Sequence, residues 1–281
     1  MVKGKRELAV RGKHEVAAGG YAADAGAGFE RAQTSDFAIT RLMWLQDLSP
    51  QTKAKNAKHV AGAEPGMIYD PVAGKLYTKL RVVPFHYRRT YLEWIPREKD
   101  GTGGGFVAEH AEVSSKWEKL PRGPYIIDRK LTADKKEHEV NEAREFGVLF
   151  VGDEVGGEAM ELEGELPVNA RPALITLAAS QLRRAANWYT VMNGKLTTTP
   201  RGRQPLPLFA NVFDVELGDQ VNKAGQQFYG WEFTDVGVLV PHDHELYQRG
   251  RALHQQMLAG TLAAPPHEQD GVAEPDTDGR M

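Results

Sequence analysis

Cysteine is absent from the 281 residues. That excludes disulfides, thiolate zinc sites and thiol nucleophiles, and it fits a reducing compartment. No apolar run approaches the roughly 20 residues that a bilayer-spanning helix needs. The longest, Pro172 to Ala179, is short and leads into Arg183–Arg184. Lys3, Lys5 and Arg6 carry the charge of a signal peptide's start, but no apolar stretch follows them. The chain is therefore expected to be neither secreted nor membrane-bound. A net charge of −3 provides no global field for polyanions, so a nucleic-acid role must rest on local segregation of charge.

Catalytic fingerprints are also missing. The glycines of Gly101 to Gly105 lack a following lysine–hydroxyl pair and a preceding apolar strand, so they do not form a phosphate-binding loop. No G-x-S-x-G elbow is present. His242, His244 and Glu245 are metal-capable, but no further ligand is indicated. The carboxylates between Asp134 and Glu165 are dense, as on a solvated surface rather than in a tuned acid/base pair. The expectation is a non-enzyme without metal or cofactor.

What is present is ordinary globular material, 41% hydrophobic and 26% charged, enough for a sizeable core. Residues 1–35 read as a flexible basic arm (Lys3, Lys5, Arg6, Arg11, Lys13) and 261–281 as a disordered acidic tail. Between them, 36–260 is expected to form a single globular domain. Asp70–Pro71 and Gly74 signal a hairpin. The run from Lys75 to Pro96, rich in β-branched and aromatic residues, predicts two strands around Pro84. Gly101 to Gly105 predicts a loop, and Glu145 to Val151 a short buried strand. Apolar spacing from Leu174 to Asn193 predicts a helix stopped by Gly194. Leu208 to Leu217 and Gln226 to Val240 predict further strands. Asp243 is a candidate cap for a last helix with Leu246, Leu253 and Met257 on one face, ended by Gly260. Strands are many and short and do not alternate with helices. The fold class is thus mostly β (α+β): an OB-like barrel or antiparallel sheet with two or three helices.

Two segments concentrate cations. Lys75 to Arg97 holds Lys75, Lys79, Arg81, Arg88, Arg89 and Arg97 against one acid, Glu93, interleaved with Tyr87, Tyr91 and Trp94. Cations bind phosphates through counterion release, and aromatic faces stack unpaired bases. Ser180 to Arg203 holds Arg183, Arg184, Lys195, Arg201 and Arg203 with no acid. The blander readings are core aromatics, edge arginines and a solvated helix face. Two cationic segments in a chain of negative net charge nonetheless favour a polyanion partner.

An ordered set of motifs carries a resemblance: Leu45-Gln46-Asp47-Leu48-Ser49-Pro50, then Gly66 to Pro71, then the strand ending Glu93-Trp94-Ile95-Pro96-Arg97. Ser180 to Met192 and Leu206 to Ala210 complete it. Over roughly residues 36–240 the chain resembles a group of bacteriophage proteins, some regarded as single-stranded-DNA-binding or replication-associated. The resemblance implies a protein working on DNA in the host bacterial cytoplasm. Its partners would include replication or recombination proteins reached through the acidic tail. That tail ends Gly279-Arg280-Met281, where such single-strand binders end in an aromatic residue.

The expected function is sequence-tolerant single-stranded DNA binding in phage replication or recombination. Arg81, Arg88, Arg89, Arg97, Arg183, Arg184, Arg201 and Arg203 would hold phosphates, and Tyr87, Tyr91 and Trp94 would stack bases. The rivals are a self-pairing phage structural or scaffold protein, which would be a homo-oligomer, and a metal-dependent DNA-processing enzyme.

Overall fold

A computed structural model describes residues 39–97, 103–121, 123–154, 170–221, 225, 227–239 and 245–262. The expected basic arm, the tail from 263 onward and the candidate cap Asp243 lie outside the described residues. In chain order the strands are β1 (Thr40–Arg41), β2 (Met43–Trp44), β3 (Ile68–Asp70), β4 (Lys75–Arg97), β5 (Gly103–His110), β6 (Glu118–Lys119), β7 (Tyr125–Ile127), β8 (His138–Glu154) and β9 (Arg171–Ala178). Helix α1 (Leu182–Gly194) leads to β10 (Leu196–Thr199), β11 (Gly202–Pro205), β12 (Asn211–Val221), β13 (Gln227–Val238) and helix α2 (Glu245–Leu258).

The mostly β expectation with few helices matches this architecture. One sheet runs in the order β1-β9-β8-β4-β12-β13, antiparallel except at β1–β9, and β10–β11 form a separate ribbon. No ladder among the described residues joins the two ends of that order, so the sheet is not a closed barrel.

Strand β4 organises the molecule. It does not break at Pro84 but continues for 23 residues. The break becomes a bulge: Pro84 pairs with Val148 and His86 with Gly147, which leaves Phe85 unopposed. A bulge is one of the few interior places where a sheet accepts proline. A Cβ on Gly147 would lie 2.6 Å from the Phe85 ring, so glycine opposite the bulge makes room for it.

The bulge also reverses the alternation of β4. Leu80 and Val82 enter a core with Phe146, Ile175, Trp188 and Trp231, and after the bulge it is Tyr87 that packs on this core. Helix α1 covers this face through Ala185, Trp188 and Met192. Val83 and Phe85 enter a second core, on the other face, with Leu149, Phe209 and Leu246 of α2.

Three further expectations change. The predicted loop at Gly101 to Gly105 becomes, from Gly103 on, strand β5 paired to the end of β4. The predicted short strand at Glu145 extends over 17 residues of β8. The predicted helix from Leu174 starts only at Leu182, because residues 171–178 form β9. A strand buried on both faces is a continuous apolar run, and over a few residues that cannot be told from a helix.

Candidate nucleic-acid interface

The first cationic segment lies on β4, and its arginines meet carboxylates from neighbouring strands. Arg81 holds Asp214 of β12, Nε to Oδ1 at 2.7 Å and Nη2 to Oδ2 at 3.1 Å. Lys79 joins it at 3.1 Å. Arg88 donates from Nε to Glu145 Oε1 at 2.6 Å and pairs through Nη2 with Glu109 at 2.6 Å. Arg89, on the opposite face, lies 3.3 Å from Glu142. The side chain of Arg97 lies outside the described residues.

Glu145 corrects the reading of its stretch as solvated surface. Its side chain is fully buried between Arg41 and Arg88. Burial opposes its charge, but the two guanidiniums outweigh that and hold the carboxyl below the usual glutamate range. These contacts make Arg81 and Arg88 struts between strands. The signal for them was Asp214 on β12 and Glu145 on β8, which becomes meaningful only once both strands are known to pair with β4.

The aromatic residues divide as well. Tyr91 is buried, edge-on to Tyr125 with ring centroids 6.0 Å apart. Trp94 is edge-on to Phe106. Tyr87 differs: its ring lies 5.1 Å from Phe146 and 4.8 Å from Tyr189 of α1, and its hydroxyl accepts from Arg144 Nη1 at 2.7 Å. Tyr189 is 40% exposed. It borders a cleft of about 270 Å³ with Asn193, Pro205, Leu206 and His254. Tyr189 falls within the stretch whose apolar spacing predicts a helix and carries no binding signal in the sequence, yet it is the aromatic ring most open beside the cations.

The second segment keeps its cations accessible. No Asp or Glu occurs from Leu166 to Phe213. Arg183 on α1 and Arg201 and Arg203 on the ribbon are exposed, and none forms an ion pair with a described residue. Arg184 reaches Glu232 only at 3.5 Å, at the surface. Lys195 is tied to Asp235 at 2.5 Å. Tyr87, Tyr189 and the unpaired arginines all lie on α1, on the element beneath it or on the ribbon that follows it.

A different cluster sits at the far end of β4. Glu93 accepts from His138 Nδ1 at 2.5 Å and pairs with His110 Nε2 at 2.7 Å, while His138 Nε2 faces Asp134 at 3.1 Å. Burial works against charge on His138, but its two carboxylate partners prevail and raise its pKa. Glu93, His138 and Asp134 of this cluster line a cleft of about 450 Å³ together with Trp117, Ile95 and Leu131. Its polar atoms satisfy one another, as in a structural network. Of the metal-capable trio noted in the sequence, His242 and His244 lie outside the described residues, and Glu245 opens α2 at the surface.

Among the described residues no helix is long and apolar enough to cross a membrane. No curated protein and no solved structure matches the chain. A family model described as Pam3 phage gp34-like protein matches residues 11–263. That match takes in the whole described part of the chain, and the chain therefore belongs to the Pam3 phage gp34-like family of bacteriophage proteins.

Proposed function

We propose that this phage protein binds single-stranded DNA with little sequence preference, in replication or recombination of the phage genome. The observation that carries the reading is the set of exposed arginines that the acid-free stretch of α1 and the ribbon presents. There Arg183, Arg201 and Arg203 have no carboxylate partner among the described residues, beside the half-open Tyr189–Tyr87 pair. Unpaired surface arginines are free to release phosphate counterions, and a ring exposed on one side is a stacking platform for a base. The sequence-based expectation places phosphate contact on both cationic segments and stacking on Tyr87, Tyr91 and Trp94. Here the phosphate contacts of α1 and the ribbon are kept, those of β4 are set aside, and stacking falls on Tyr189 beside Tyr87.

The OB-like reading applies at most to five strands. Beginning at β4, the succession β12, β13, β2, β3 returns to β4, and every step is a ladder except β13 to β2. A polythymidine gel shift at two salt concentrations tests the function. Binding that weakens steeply with salt supports it, and no shift at low salt refutes it.

A structural or scaffold role is the second reading, and β13 favours it. This strand ends the sheet order, and its exposed Val236 and Val238 offer apolar surface for a second copy to cover. Large assemblies on size-exclusion chromatography without nucleic acid would favour that role.

A further inference from the structure

Strands β10 and β11 form a two-stranded ribbon with no ladder to the main sheet. Every ribbon residue except Thr199 is exposed, including Leu196 at 51%. A two-stranded hairpin gains little stability by itself, and this one buries almost nothing against the rest of the protein. It is nevertheless held stiff at both ends. At the tip, Thr199 Oγ1 accepts from Arg201 N at 3.2 Å and donates to Gly202 O at 2.8 Å. Gly202 takes φ +96°, a left-handed conformation that favours glycine. At the base, Leu206 N donates to Lys195 O at 2.8 Å, and Lys195 Nζ is anchored on Asp235 and on Gly237 O. A stiff arm that contributes little to the core, carries two unpaired arginines and contains no acid is shaped for an external polyanion.

From this geometry we infer that the ribbon is an arm for duplex DNA, so that the preferred ligand is a junction between single and double strands. The inference rests on the single-strand reading above and names the substrate of that same surface. Paired strands lie about 4.8 Å apart, and the major groove of B-DNA, about 12 Å wide, admits a two-stranded ribbon with its side chains. Single strands offer no such groove. A stacking ring such as Tyr189 in turn accepts only unpaired bases. Helix α1 ends at Gly194 and β10 begins at Leu196, so the two contact types are adjacent along the chain. Arg201 and Arg203 sit on the arm, where they meet the phosphates that flank a groove.

The test compares three probes by fluorescence anisotropy: a polythymidine strand, a blunt duplex, and that duplex carrying a polythymidine tail. The full chain should bind the tailed duplex about tenfold more tightly than polythymidine alone, by adding phosphate contacts. Changing Arg201 and Arg203 together to Ala should weaken polythymidine binding, since both belong to the single-strand surface, but should weaken the tailed duplex more and so remove most of the tenfold gain. The Lys double variant should retain much of the gain, since charge and not fold is at stake. Both positions are exposed, so circular dichroism should be unchanged. Normal polythymidine binding without any gain from the duplex would overturn the arm and leave the single-strand reading standing. Equal loss on both ligands in the Ala variant would also overturn it. Failure to bind any of the three probes would remove both readings.

Discussion

The side-chain amide of Gln46 acts as a backbone partner for Tyr229. Its Nε2 donates to Tyr229 O at 2.8 Å, and its Oε1 accepts from Tyr229 N at 2.9 Å. One side chain thus continues the hydrogen bonding of β13 across the seam where no ladder forms. Two of the sequence motifs converge there. Leu45 exchanges backbone hydrogen bonds with Gly66 and Met67, and Ser49 Oγ accepts from Gln46 N at 2.8 Å. Gly66 has φ +85°, and a Cβ there would lie 2.8 Å from the Tyr229 ring.

Changing Gln46 to Ala should therefore leave a backbone donor and acceptor of Tyr229 short of partners. The expected cost is about 1–3 kcal/mol, read by urea unfolding. Stability equal to that of the unaltered protein would mean that the seam closes without this amide.

Glu145→Gln is expected to be more damaging, since it leaves Arg41 and Arg88 facing a neutral amide inside the protein. Removing one partner of a buried ion pair costs several kcal/mol, and the lower end, about 3 kcal/mol, applies because Arg88 is part-exposed and keeps Glu109. Thermal and urea unfolding should both register it.

His138 gives stability a pH dependence of known sign. Its pKa is raised in the folded protein, so its contribution is complete below the ordinary histidine range and lost as pH rises through the folded value. His86 acts in the opposite sense: burial, with nearby His254 and Arg88, lowers its pKa, so the fold loses stability as pH falls through the ordinary histidine range. Unfolding free energies from about pH 6 to about pH 8 should decline more in the unaltered protein than in His138→Gln. Parallel profiles would contradict the assignment.

The salt dependence of polythymidine binding distinguishes the two cationic segments. Arg183→Ala should lower the log–log slope by roughly 0.7 per lost phosphate contact without affecting unfolding. Arg88→Ala should do the reverse, lowering stability with little change in slope, because its charge is already committed to Glu145 and Glu109.

Deleting residues 263–281 should tighten binding at low salt. Glu268, Asp270, Glu274, Asp276 and Asp278 are offset there only by Arg280, so the tail would compete with phosphates for the arginines. The gain should vanish near 1 M salt, where the Debye length is ~3 Å. Unchanged affinity at low salt would show that the tail does not compete.

The sequence by itself determined the local and compositional features. Cysteine-free chemistry, the β-rich character, the strand propensity of β4 and the acid-free stretch from Leu166 to Phe213 all follow from residue types within short windows. So does the end of α2, where Gly260 takes the expected positive φ of +69°. Only the tertiary structure decided which charges are free. Arg88 and Arg183 look alike in a linear reading, but cross-strand pairing sets Arg88 against Glu145, 57 residues away, while Arg183 has no acid among its described neighbours. Pro84 likewise signals a strand end until Gly147 appears opposite and accommodates the Phe85 bulge. Tyr189 became a candidate contact only when Tyr87 was found beneath it. The reason is physical: propensity and spacing act over a few residues, whereas burial and ion pairing depend on partners brought together by the strand register.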